Sequence, residues 1–281
     1  MRLLFLAAAL GLLTATSASA DAPNARAAYA ERRGLIEADA QCRLFTPSIR
    51  SALQVTAAQA RGALLRSGWT NAQMRELENA AIEAARARAC NDARTATAAA
   101  DARHAFIGWA NAGSMEFPGW DRTWLARRAV TTNPAWRLSQ AIDGPIASVF
   151  GVRQVGDAQH LTLVIPVARG ATAPTSVTLV MRDAARARVQ EVSLTQRMSY
   201  GLAAGVPAPN AATNAPSTRT IERLDGGRSQ AIFTFPDTAF RALMTLDPRE
   251  SVELRVSGRA TQRLFVEVGD VGAARAFLTI R

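Results

Sequence analysis

The chain has 281 residues, 48% of them hydrophobic and 20% charged, which is material for two modest domains, each with its own core. All 33 basic residues are Arg. Without Lys the chain cannot supply a P-loop, a kinase strand lysine, the S-x-x-K of penicillin-binding proteins and class A β-lactamases, or a Schiff base to pyridoxal phosphate. The net charge of +10 is spread evenly with no Arg run longer than two, so it reads as solvated surface and not as a nucleic-acid footprint. An attraction to anionic lipid, lipopolysaccharide or an acidic polymer stays open.

Residues 1–20 follow the plan of a signal peptide. Arg2 gives a short basic n-region, Leu3 to Leu13 an apolar core, and Ala18-Ser19-Ala20 an A-x-A site before Asp21. The apolar run is shorter than the ~20 residues that a membrane-spanning helix needs. The expectation is cleavage after Ala20, a periplasmic or secreted protein, and no transmembrane span in the mature chain.

From Asp21 the sequence is Ala- and Arg-rich with long helical patterns. A first helix is expected over about Ala25 to Cys42. Thr46 caps a second, with Pro47 at its first position and Gly68 as its terminator. Thr70 and Gln73 spell a capping box, flanked by Trp69 and Met74 at the spacing of a hydrophobic staple. The helix that starts there is expected to run on to Trp109-Ala110. If the second and third helices are antiparallel neighbours, Pro47 lies level with Cys90 and therefore close to Cys42. In an oxidising compartment this predicts a Cys42–Cys90 disulfide. No C-x-x-C is present, so a redox pair is not expected.

Near Pro134 the chain changes character to short β-branched runs between Gly, Pro and Asp. Strands are expected at Ala147–Val155, His160–Val167, Ser176–Met181, Ala187–Leu194, Met198–Val206, Thr220–Leu224, Gln230–Phe235, Ser251–Val256 and Leu264–Val268. Asp225-Gly226-Gly227 is a hairpin turn, and Pro207–Ser217 reads as a mobile loop. Short helices are expected at Thr238–Leu246 and Gly272–Leu278, the latter capped by Asp270. The expected organisation is a signal peptide (1–20), a helical region (21–113), a Trp-rich junction (114–135) and a β-rich domain (136–281). The expected fold class is α+β: an N-terminal antiparallel helical region followed by an antiparallel β-sandwich or partly open barrel with short helices.

The stretch Glu250-Ser-Val-Glu-Leu-Arg-Val256, Leu264-Phe-Val-Glu-Val268 and Gly269 to Leu278 resembles the invasion-associated locus B family of exported bacterial proteins. The resemblance covers about 30 residues, and the cysteines usual in that family's β region are absent. It implies an exported, non-enzymatic β-rich module and assigns no functional residue.

Chemistry is sparse elsewhere. Asp101 and His104 read as an exposed helix pair, and His160 as a surface residue. Neither H-E-x-x-H nor G-x-S-x-G occurs, and the two Cys and two His lack metal-site spacing. No catalytic residue, metal or cofactor is assigned. The densest constellation is Glu116-Phe-Pro-Gly-Trp-Asp121 with Trp109 and Trp124 nearby. Large aromatics there read first as an interdomain core. Trp109, Glu116, Trp120, Asp121 and Trp124 are the alternative ligand-binding set, because glycan sites combine aromatic platforms with carboxylates. Stacking of Arg127 or Arg128 on Trp124 is a further reading. The functional expectation is a non-enzymatic exported module binding an envelope protein or an anionic envelope polymer. The alternative is a glycan-binding or glycan-hydrolysing protein.

Overall fold

The computed structural model describes residues 22–144 and 147–280. The expected signal peptide lies outside the described residues. Those residues form seven α-helices and eleven strands, and no helix among them is long and apolar enough to cross a membrane.

Four helices come first: α1 (Ala22–Cys42), α2 (Pro47–Arg66), α3 (Asn71–Arg86) and α4 (Ala93–Asn111). The caps work as the sequence implies. Thr46 Oγ1 accepts from the Ile49 amide, and Thr70 and Gln73 form a reciprocal capping box. Trp69 packs on the cluster of Met74, Leu64, Leu65 and Tyr29. The single helix expected from Thr70 to Ala110 is broken. α3 stops at Arg86, and Asp92 caps a new helix by accepting from the Thr95 amide at 3.0 Å. Between them lies Cys90, bonded to Cys42 with the Cα atoms 5.5 Å apart.

The disulfide forms, though by a different packing from the expected one. α1 packs along both α2 and α3. Tyr29 donates to Glu78, Arg33 pairs with Glu78, and Glu37 pairs with Arg86. These contacts advance along α1 and α3 in the same direction, so the two helices run parallel and bring Cys42 and Cys90 to one end.

The remaining chain forms a sandwich of two antiparallel sheets, not closed into a barrel. The first contains β1 (Ser114–Pro118), β2 (Thr123–Arg127), β3 (Ala135–Ile142), β4 (Ser148–Val155), β5 (Ala158–Val167), β8 (Thr218–Arg223) and β9 (Ser229–Thr234), ordered β1-β2-β3-β4-β5-β9-β8. The second contains β6 (Ser176–Arg182), β7 (Ala212–Pro216), β10 (Ser251–Ser257) and β11 (Gln262–Glu267), ordered β11-β10-β6-β7. Trp124, Phe150, Leu163 and Phe233 from the first sheet share one core with Leu179, Leu254 and Val266 from the second. Gly151 lets β3 and β4 approach: a Cβ there would meet the Leu138 carbonyl oxygen at 2.0 Å.

Three expectations about this half are corrected. Ala187–Leu194 is not a strand, and Met198–Val206 is helical. Ser193 and Gln196 form a capping box that starts α5 (Leu194–Tyr200), which leads into a 3₁₀ turn, Gly201–Gly205. Pro207–Ser217 is not a loop throughout, because β7 lies within it and pairs with β6. Ser217 then donates through its amide and hydroxyl to the Val177 carbonyl as the chain crosses between sheets. The Trp-rich stretch supplies β1 and β2, which open the larger sheet.

The short helices α6 (Asp237–Leu243) and α7 (Val271–Phe277) complete the fold. α7 is where the helical region meets the sandwich: α2 packs against it. Asp270 stands at its N-cap position without making a side-chain cap.

Candidate binding surface at the helix–sheet junction

The β1–β2 hairpin separates the five residues expected to share a site. Trp124 is 0% exposed, and its indole N–H donates to the carbonyls of Glu267 and Val268 at 3.0 Å each. It is a core residue whose polar edge is satisfied. Trp109 is half-buried and meets Phe117 edge to face, with ring centroids 6.4 Å apart. Trp120, in the hairpin turn, is 38% exposed. Glu116 on β1 and Asp121 in the turn are both exposed. Arg128 stacks on Phe277, not on Trp124, and Trp120 carries the Arg197 guanidinium 5.7 Å from its ring centre.

The residue that organises this turn is Glu267, at the end of β11, which sequence reasoning passed over. Its carboxylate is fully buried and accepts from the amides of Trp120, Asp121 and Arg122, at 2.5, 2.9 and 3.0 Å. Three converging N–H groups make a concavity suited to an anion, and the chain fills it with its own side chain. Gln140 reads the same strand end, donating to the Glu267 carbonyl and accepting from its amide. The signal was a Glu between Val266 and Val268 in an apolar strand.

A second acid, Asp270, takes both terminal nitrogens of Arg66 on α2, at 2.6 and 3.0 Å. Both side chains are buried. Burial pushes Asp270 up to about 6, and the Arg66 charge works against that rise. Gly62 makes the approach feasible, since a Cβ there would lie 1.8 Å from the Asp270 carboxylate.

Arginine fills the neighbouring space. Arg182 grips Glu250 through three hydrogen bonds of 2.9–3.1 Å, and Arg249 holds Asp247. Arg197 is buried against neutral acceptors, the Ser251 hydroxyl and the Arg249 carbonyl. Desolvation lowers the pKa of its guanidinium. Beside Trp120 a crevice lined by Arg66, Leu194, Arg197 and Arg249 has a volume of about 10 Å³, room for a water molecule and no more.

The spacious feature lies next to it. A groove of about 590 Å³ runs between Asn71, at the start of α3, and the segment after β6. Arg182, Arg186, Arg188, small alanines and Val189 line it, and none of the described residues lining it is acidic. Arg186 meets Asp183 at 2.5 Å through Nε, which holds the Asp183 carboxyl below its ordinary value. Arg188 is exposed and has no acidic partner among the described residues. The Arg182 guanidinium is buried on Glu250 and the Ala187 carbonyl, so the donors that the groove offers a ligand are those of exposed Arg186 and Arg188. Arg182, Arg186 and Arg188 were not singled out from the sequence, where they are three arginines among many.

No family model, curated protein or solved structure matches the chain.

Proposed function

We propose that the protein is a non-enzymatic exported module that binds an anionic partner in the bacterial cell envelope. The observation that carries the reading is the groove lined by Arg182, Arg186 and Arg188, where Arg182 is held by Glu250 and Arg186 by Asp183, and exposed Arg188 has no acidic partner among the described residues. Guanidinium groups suit phosphate and carboxylate ligands because their planar donors fit two oxygens at once. The signal-peptide pattern and the Cys42–Cys90 bond support an oxidising, extracytoplasmic setting. The resemblance of residues 250–278 to an exported family points the same way.

The glycan reading rests on Trp120, the ring with an exposed face in the hairpin turn. It has less support, because Trp124 and Phe117 are committed to the core and the crevice at Trp120 admits only water.

The test is titration of the purified exported protein with dextran sulfate at physiological salt. Arg186→Gln/Arg188→Gln is expected to weaken binding roughly a hundredfold, at about 1.5 kcal/mol for each of the two charged hydrogen bonds lost. The control Arg219→Gln/Arg223→Gln removes the same charge from β8 and is expected to change little. Equal loss in both variants would mean diffuse electrostatics and would refute the groove.

A further inference from the structure

The groove does not stand alone on its face. Five residues after Val189, α5 presents Leu194, 44% exposed, and Met198, 78% exposed. The two are one helical turn apart and share a side of α5. Trp120 and Leu194 border the same crevice, so the exposed part of the indole belongs to the same patch. The α2–α3 turn ties the patch to the groove. At one end of the turn Gly68 faces Leu194, a Cβ there lying 3.7 Å from the leucine methyl. At the other end Asn71 lines the arginine groove. A cationic groove and an exposed apolar patch therefore flank one four-residue turn.

Resting on the function proposed above, we infer that this face docks on an anionic lipid bilayer, with phosphate headgroups at Arg186 and Arg188 and with Leu194, Met198 and Trp120 entering the interface. Charge complementarity selects this occupant. The residues from 21 on carry a net +9, which favours an anionic surface. A soluble anion would fill the groove and leave the apolar patch in water. A headgroup with its hydrocarbon beneath satisfies both, and peripheral binding draws on the same two contributions, buried apolar area and attraction to anionic lipid. The apolar residues lie at one end of an arginine-lined face, where a bilayer surface meets headgroups and acyl chains at slightly different depths. Trp is suited to that boundary because its indole is apolar with one polar edge.

The experiment is co-sedimentation of the full exported protein with two kinds of vesicle. One mixes phosphatidylglycerol with phosphatidylethanolamine; the other is phosphatidylcholine alone. Binding is expected to the first and not to the second. Each of Arg186→Gln and Arg188→Gln is expected to weaken it about fivefold. Leu194→Ser/Met198→Ser is expected to weaken vesicle binding at least roughly tenfold while leaving dextran sulfate binding unchanged. Met198→Ser alone, at the most exposed position, should go the same way to a smaller degree and is safe for folding. Intact dextran sulfate binding without vesicle binding overturns this inference and spares the groove. Vesicle binding indifferent to the α5 variants overturns it as well. So does a wild-type dimer in size exclusion that the α5 variants turn into monomer, since a second copy would then cover the patch. Failure of the groove shows separately, as dextran sulfate binding that ignores Arg186 and Arg188.

Discussion

Arg66 and Asp270 join α2 to the sandwich through two buried hydrogen bonds, and the partners fail differently when separated. Asp270→Asn leaves a guanidinium that stays protonated at any ordinary pH. An uncompensated buried charge costs about 3–5 kcal/mol, with little dependence on pH. Arg66→Met keeps much of the apolar packing and leaves an acid that can take up a proton. In the wild type Asp270 sits at about 6, above its ordinary 3.8. A pKa raised by folding contributes stability at low pH, and that contribution is lost as pH rises toward the folded value. The loss amounts to roughly 3 kcal/mol in all, about two-thirds of it between pH 4 and pH 6, and levels off above about pH 7. Without Arg66 the folded pKa climbs further, so the decline continues above pH 6 at up to about 1.4 kcal/mol per pH unit. Urea unfolding of wild type, Arg66→Met and Asp270→Asn at pH 5, 6, 7 and 8, followed by circular dichroism, reads this directly. The wild type should lose only about 0.5 kcal/mol in this contribution from pH 6 to 8 while Arg66→Met falls by up to about 3 kcal/mol. Parallel stability curves for the two proteins over that range would refute the argument that burial governs Asp270.

Trp124→Ala empties a fully buried site and should destabilise by about 3–5 kcal/mol, whereas Trp120→Ala, at 38% exposure, should cost about 2 kcal/mol by denaturant unfolding. Glu267→Ala strands the amides of residues 120–122 and should destabilise by roughly 3 kcal/mol or more, with amide hydrogen exchange at those three positions accelerated before the rest of the sheet. Cys42→Ser/Cys90→Ser opens a link between residues 48 apart and should lower stability by about 2–4 kcal/mol, visible as a drop in Tm that reductant reproduces in the wild type.

Local signals carried much of the fold. Thr46-Pro47, the Thr70–Gln73 box and Gly68 mark helix ends because capping is settled within four residues. The hairpin at Asp225-Gly226-Gly227 was legible for the same reason, as was most of the sandwich, where alternation shows one buried face. Asp92 and Ser193 carry equally local caps that longer patterns obscured: α4 hid inside an Ala-rich run, and α5 bridged the end of one apparent strand and the start of the next. β7 gave no apolar alternation because it is an edge strand, held to β6 by its backbone. β1 and β2 were masked by their aromatics, which read as a junction between regions.

What the sequence determined by itself was therefore the division into helices and sandwich, the pair of cysteines, and an arginine-only charge that excludes lysine chemistry. Tertiary structure alone decided the rest. It set α1 parallel to α3, and so explains why Cys42 meets Cys90. It assigned Trp124 to the core and Trp120 to the surface, although they stand only four positions apart. It turned Glu267 and Asp270 inward, to backbone amides 145 to 147 residues away and to a guanidinium 204 residues away. The physical reason is range: a cap or turn is fixed by neighbours in the chain, whereas a buried charge is tolerable only where distant partners converge on it. The same holds for Arg182, Arg186 and Arg188, whose shared groove exists only once α3 has docked beside them.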